Sequence, residues 1–131
     1  MARIMNKNIK IIFKINSYKI MDIKFNKENK SYAIKVTAEE NGKILGRAYL
    51  YVMSNGLHKE PFGFLEDVFV EEKNRGKGIG TKLVNAVITE AKKQKCYKII
   101  CASRYTSTKV HDLYMKLGFK DHGKEFRMNL T

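Results

Sequence analysis

Phe64-Leu65-Glu66-Asp67-Val68-Phe69-Val70, followed by Glu71-Glu72-Lys73-Asn74-Arg75-Gly76-Lys77-Gly78-Ile79-Gly80-Thr81, is the stretch on which the reading of this chain turns. Its first seven residues are β-branched, aromatic and apolar apart from an acidic pair, the composition of a strand. Three glycines then stand at alternate positions. From Thr81 the period changes: Leu83, Val84, Val87, Ile88 and Ala91 fall at i, i+1, i+4, i+5 and i+8, which is one stripe of an α-helix. Alternate glycines let backbone N–H groups converge without Cβ obstruction, and a helix N-terminus favours negative charge there. The segment therefore reads as a pyrophosphate cradle, although the same glycines also suit a bare strand-to-helix turn. The spacing is neither Gly-x-Gly-x-x-Gly nor a P-loop.

Outward from this unit, Tyr32 to Thr37 and Ile44 to Met53 are β-rich runs flanking Glu40-Asn41-Gly42-Lys43, which predicts a hairpin. Residues 9 to 15 and Met21 to Phe25 add shorter extended pieces, and Ser54 to Gly63 is a loop. Beyond the helix, Tyr97 to Ala102 reads as a buried-type strand. Val110, Leu113, Tyr114 and Leu117 mark a second helix ending at Gly118. Phe119 to Leu130 reads as one or two closing strands that turn near His122-Gly123. Hairpin strands followed by strand–helix–strand–helix imply an α/β (α+β) fold with a mixed, mostly antiparallel twisted sheet and flanking helices, in one domain over residues 1–131.

The 131 residues suit one domain, and 44% hydrophobic with 30% charged excludes collagenous, low-complexity and disordered classes. Lysines interrupt every apolar run, so neither a membrane span nor a signal peptide is expected, and the expected location is cytoplasmic. Lys and Arg total 26 against 13 acidic residues, a net charge of +13, and residues 1–35 hold nine basic against two acidic side chains. That excess suits a solvated lysine-rich surface or an anionic ligand. Without a Cys/His finger, an arginine stripe or an RNP motif it does not indicate nucleic-acid binding. Cys96 and Cys101 in an extended segment stand ~16 Å apart, past the ~7 Å limit for a bridge, so both are expected as free thiols in a reducing compartment. His58, His111 and His122 have no metal-ligand spacing, no metal is expected, and there is no Gly-x-Ser-x-Gly elbow.

Two of these motifs resemble the GNAT superfamily of N-acetyltransferases. Arg75-x-x-Gly78-x-Gly80 is similar to its acetyl-CoA pyrophosphate signature, and His111-Asp112-Leu113-Tyr114-Met115-Lys116-Leu117-Gly118-Phe119 to its helix ending Tyr-x-x-x-Gly-Phe. The resemblance covers roughly residues 44 to 130. It implies that the amides of Lys77, Gly78, Ile79, Gly80 and Thr81, with Arg75 and Gly76, grip the pyrophosphate of acetyl-CoA. It implies too that Val68, Phe69 and Val70 pair with the pantetheine arm where two central strands splay apart. Many members carry Asn, which contacts the pantetheine arm, seven residues before the helical Tyr; this chain has the shorter Ser107 there, which with Tyr114 completes the set of cofactor contacts that the resemblance implies.

Acetyl transfer from a thioester to an amine needs a neutral amine, a stabilised oxyanion and a proton for the thiolate. The resemblance implies Tyr114 as the acid, against a packing role in the core. Glu66 interrupts an apolar strand and is the candidate base, or a buried counter-ion for a cationic substrate. Asp67, Arg104 and His111 are candidate acceptor contacts: Arg104 for a phosphate or phosphonate, His111 as a proton relay or a flanking group. The acceptor is expected to be a small-molecule amine, with partial resemblance to glucosamine-6-phosphate and aminophosphonate acetylators. A peptide N-terminus or lysine remains an alternative, as does a non-catalytic basic binding module of the same fold. Family members place two helices between the first two strands, but Asn16 to Lys30 offers only about 15 residues without a helical stripe. The N-terminal helical region is thus reduced, and an open acceptor pocket or a homodimer beside the cleft is expected.

Overall fold

Asn41 and Gly42 set the first long hairpin. Their φ angles of 49° and 77° are the paired left-handed values that match strand twist in a two-residue turn. In the computed structural model, which describes residues 10–15 and 19–131, this turn joins β3 (Tyr32–Glu40) to β4 (Lys43–Met53). Before them, β1 (Lys10–Ile15) and β2 (Lys19–Lys24) pair antiparallel as a two-stranded sheet. Among the described residues nothing ahead of Glu72 is helical, in keeping with the reduced N-terminal region.

β4 pairs antiparallel with β5 (Phe62–Val70), and α1 (Ile79–Lys93) carries the chain over to β6 (Ile99–Cys101), which lies parallel to β5. The sheet order is β3-β4-β5-β6. α2 (Thr108–Lys116) follows. α1 buries Leu83, Val84, Val87 and Ala91 against Ala48, Leu50, Val52 and Leu65, each at most 4% exposed. A fully buried Leu or Val in such a layer contributes about 1.5–3 kcal/mol. Because strand side chains alternate, Arg47, Tyr49, Tyr51 and Met53 of β4 take the opposite face, where Tyr51 and Met53 stay over a third exposed.

Two expectations change. β6 has only three residues, and Tyr97 and Ile100 are each 41% exposed. It is an edge strand beside β5, so its outer-facing side chain has no layer above it. Phe119 to Leu130 forms no strand, and Phe126, Met128 and Leu130 are 82–90% exposed. Their alternation is strand-like, but among the described residues no ladder joins them to a neighbouring strand.

Candidate active site

β6 pairs with β5 only at Gly63, Phe64 and Leu65, so among the described residues one edge of β5 has no neighbouring strand from Glu66 to Val70. This is the gap between central strands that the motif reading implied. Within it the β4–β5 register slips between Arg47 and Tyr49, and Asp67 takes a φ of 50°. The bulge re-aims the chain. Val68 and Val70 turn to the core cluster, while Phe69, opposite Arg47, lies under two guanidinium groups, those of Arg47 at 4.8 Å and Arg75 at 5.7 Å from the ring centroid.

The glycine loop is held open from beneath. Arg75 Nε donates to the Val70 carbonyl at 2.9 Å, Glu71 N–H to the Leu45 carbonyl, and Asn74 begins a turn on Glu71. Gly76 and Gly78 have φ of 80° and 79°, and a Cβ at either would meet no atom within 4 Å. Glycine is thus required there by conformation, with free space in front of it. The first intrahelical bond of α1 runs from Lys82 N–H to the Gly78 carbonyl, so the amides of Ile79, Gly80 and Thr81 precede the ladder. No acidic side chain lies in that first turn. The donors and the positive end of the helix dipole point outward together.

In front of them is a cavity of about 550 Å³. One wall is Val70, Arg75, Gly76, Gly78, Ile79, Gly80 and Thr81, all expected from the sequence; Asn74 joins it, and the other wall is Lys109, Val110 and Leu113 of α2. Asn74 is buried with an unpartnered Nδ2, while its Oδ1 accepts from Lys77 Nζ at 3.5 Å. Val68, Phe69, Lys77, Ser107 and Tyr114 lie outside this wall. Open amides, a cation on each wall and a spare buried donor fit an elongated anionic ligand such as a pyrophosphate.

The Tyr-x-x-x-Gly-Phe signature has a local cause. Phe119 N–H donates to the Tyr114 carbonyl and Gly118 N–H to that of Met115, with Gly118 at φ 99°, the bond pair of a Schellman motif. The motif's apolar contact is Phe119 on Tyr114, ring centroids 5.4 Å apart. Tyr114 is thereby fixed and half-buried. Burial raises the phenol pKa, with Cys101 and Glu66 adding to it, so the hydroxyl holds its proton at neutral pH. Burial also pushes the neighbouring Cys101 thiol up to about 11.

Glu66 is exposed rather than buried, because it faces the sheet surface opposite α1, directly across from Tyr49. Its charge still reaches Tyr114. Asp67 is occupied: its carboxylate accepts from Arg47 Nε at 2.8 Å and Nη2 at 3.3 Å. Arg104 is exposed, and its carbonyl accepts from Ser107 N–H and, at 2.8 Å, from His111 Nε2. That bond puts the His111 proton on Nε2 and makes the ring a brace of the β6–α2 loop. Among the described residues no three His, Cys, Asp or Glu side chains cluster as metal ligands, and no helix is long and apolar enough to cross a membrane.

Lys109, Val110 and Leu113 were missed as cavity residues. Their spacing at i, i+1 and i+4 signalled one helix face, but not that this face meets the glycine loop.

The chain matches the description "Acetyltransferase (GNAT) family" over residues 7–119, a span that starts well before the two motifs. It is 32% identical over 93 residues to a glucosamine 6-phosphate N-acetyltransferase of Trypanosoma brucei brucei, covering 70% of this chain and 61% of that protein. It is 31% identical over 103 residues to an aminoglycoside N(6′)-acetyltransferase type 1 of Stenotrophomonas maltophilia, covering 75% and 67%. A solved acetyltransferase from Trypanosoma brucei superposes with a TM-score of 0.68 at 29% identity, covering 75% of this chain and 69% of that one. The chain thus spans about three fifths of the first of these relatives. With the glycine loop, the gapped strands and the capped tyrosine helix in place, these matches establish that the chain belongs to the GNAT acetyltransferase family.

Proposed function

We propose that this chain is an acetyl-CoA-dependent N-acetyltransferase acting on the primary amine of a small metabolite. Acetyl-CoA supplies an acetyl group activated as a thioester. The amides of Ile79, Gly80 and Thr81 hold its pyrophosphate, with Lys109 facing them across the cavity. The free edge of Val68, Phe69 and Val70 offers backbone groups to the pantetheine arm. Glu66 takes the proton from the ammonium of the acceptor, directly or through water, and Tyr114 gives its proton to the departing thiolate.

One arrangement carries this reading: the glycine-loop amides open onto a cavity whose other wall is α2, the helix that holds the half-buried Tyr114, while Glu66 stands where β5 loses its neighbour β6. Donor and acceptor would then meet at one tyrosine from opposite sides. Relatives named for acetylating an amino sugar phosphate and an aminoglycoside support an amine acceptor. The test is release of free thiol from acetyl-CoA against a panel of amines, amino sugar phosphates and peptides. Turnover with an amine, lost in Gly78→Val, supports the reading; acetyl-CoA binding without turnover on any acceptor overturns it. A homodimer with its interface beside the acceptor cleft belongs to the same reading, and light scattering over a dilution series with parallel activity tests it.

A further inference from the structure

The face of the sheet opposite α1 carries one cross-strand row that the reaction above uses only at its end. Lys35 on β3 stands opposite Tyr49 on β4, and Tyr49 stands opposite Glu66 on β5. Directly opposed residues put their side chains on the same face. The row therefore runs cation, aromatic ring, carboxylate. With strands ~4.8 Å apart, its two charged ends are anchored ~10 Å from each other.

Among the described residues neither charged member of the row is held in an ion pair. The Lys35 ammonium lies 5.9 Å from the Tyr49 ring centroid. The described ion pairs are Arg47–Asp67 and Lys93–Glu90, and Lys35 is in neither. Tyr49 and Tyr51 are stacked at 6.1 Å with planes 17° apart, a flat floor beside Glu66. Arg47, two residues before Tyr49 on β4, and Asp67, next to Glu66 on β5, are paired with each other. What remains, among the described residues, is a positive end and a negative end outside any ion pair, with an aromatic floor between them.

We infer that the Lys35–Tyr49–Glu66 row is the acceptor subsite and that it selects a primary amine bearing an anionic group, a phosphate or a carboxylate, at the far end of a compact body. The amine faces Glu66, the body lies on Tyr49, and the anion meets Lys35. An acceptor that is cationic throughout finds Lys35 repulsive, and a neutral one leaves it unused. The inference rests on the acetyltransferase reading for its chemistry, but recognition by the row does not depend on turnover.

The test pairs glucosamine 6-phosphate with glucosamine, and a carboxylate-bearing amino sugar with its neutral parent, as acceptors for the wild type, Lys35→Met and Lys35→Arg. The wild type should prefer the anionic member of a pair by about tenfold or more in kcat/KM, the size of one charge-assisted contact. Lys35→Met should bring that ratio close to one through KM, and Lys35→Arg should keep most of it. Whichever pair shows the preference identifies the anion. A wild-type ratio near one for both pairs, or a ratio that Lys35→Met leaves intact, overturns the inference. Calorimetry of the same pairs separates it from the enzyme reading. Tighter binding of the anionic amine that disappears in Lys35→Met, in a protein without turnover, upholds the row and overturns the acetyltransferase, whereas turnover without preference does the reverse.

Discussion

Along β4, consecutive side chains meet two different environments. Ala48, Leu50 and Val52 are at most 1% exposed under α1, while Tyr49 and Tyr51 between them form an open stacked pair. The first set is held by close packing, in which every lost methylene is felt. The second set is held by the strand itself, so its side chains are free to serve a ligand. Stability and recognition thus alternate residue by residue on a single strand. The largest expected effect tests that division. Leu50→Ala should cost about 2–5 kcal/mol and Tyr51→Ala under about 1 kcal/mol in urea unfolding. Comparable losses at the two positions would break the comparison.

Tyr114 sits on the border between the two faces, which sharpens the contrast. Its ring packs on Phe119 and on the core cluster, and its hydroxyl responds to Glu66 on the open side. Tyr114→Phe keeps the packing and removes only the proton. Turnover should fall ~100-fold while acetyl-CoA affinity changes less than about twofold, because the hydroxyl acts in the transition state. The raised phenol pKa fixes the sign of the pH dependence. A proton donor is active while protonated, so the alkaline loss of rate assigned to Tyr114 should begin only above the ordinary phenol range near ~10. A Tyr114→Phe protein at wild-type rate would return the residue to packing alone.

The same division explains what could be read from the sequence. The α1 face was legible because burial on one side of a helix or strand leaves a period: Leu83, Val84, Val87 and Ala91 were placed by spacing, as were the Asn41-Gly42 turn and the Gly118 cap. The glycine loop was legible because its conformation excludes other residues. Period says nothing about what neighbour an element will find. Tyr97 to Ala102 looks buried, yet only Ile99–Cys101 forms a strand, at a sheet edge. Phe126, Met128 and Leu130 alternate like a strand, yet the segment forms none and leaves them exposed. Glu66 looked buried because it interrupts an otherwise apolar strand, but Leu65, Val68 and Val70 turn to the core while Glu66 faces the open side. Lys35 gave no signal, since its meaning lies in two strand registers.

Cys101, on the packed side, offers a smaller effect with a defined sign. Burial raises its thiol to about 11, so the folded state holds this proton more tightly than the unfolded chain does. The associated stability is fully present below the unfolded thiol range and is lost as pH rises through about 11. Its size is at most about 2–3 kcal/mol, from the cost per pKa unit. Between pH ~8 and ~10.5 the wild type should therefore lose more thermal stability than Cys101→Ala. Parallel melting curves would show that the thiol is not held out of water.

The smallest expected effect is at Asp67, where the open face carries its own strain. The residue holds a φ of 50° in the β5 bulge and is tied to Arg47 by two hydrogen bonds on a partly exposed surface. Asp67→Gly removes both features at once. Glycine takes a left-handed φ freely, a relief of about 0.5–1 kcal/mol less the greater freedom it gives the unfolded chain. The lost ion pair works the other way and is weak in solvent. The two changes nearly cancel, so the melting temperature should move by no more than about 3 °C. Asp67→Val keeps the loss of the ion pair and adds a β-branched side chain at positive φ, so it should be clearly less stable than Asp67→Gly. If the two variants melt together, the bulge does not hold its left-handed turn in solution. If glycine is the worse of the two, the freedom it gives the unfolded chain outweighs any relief of the positive φ, and backbone strain at Asp67 does not set the geometry of the open face.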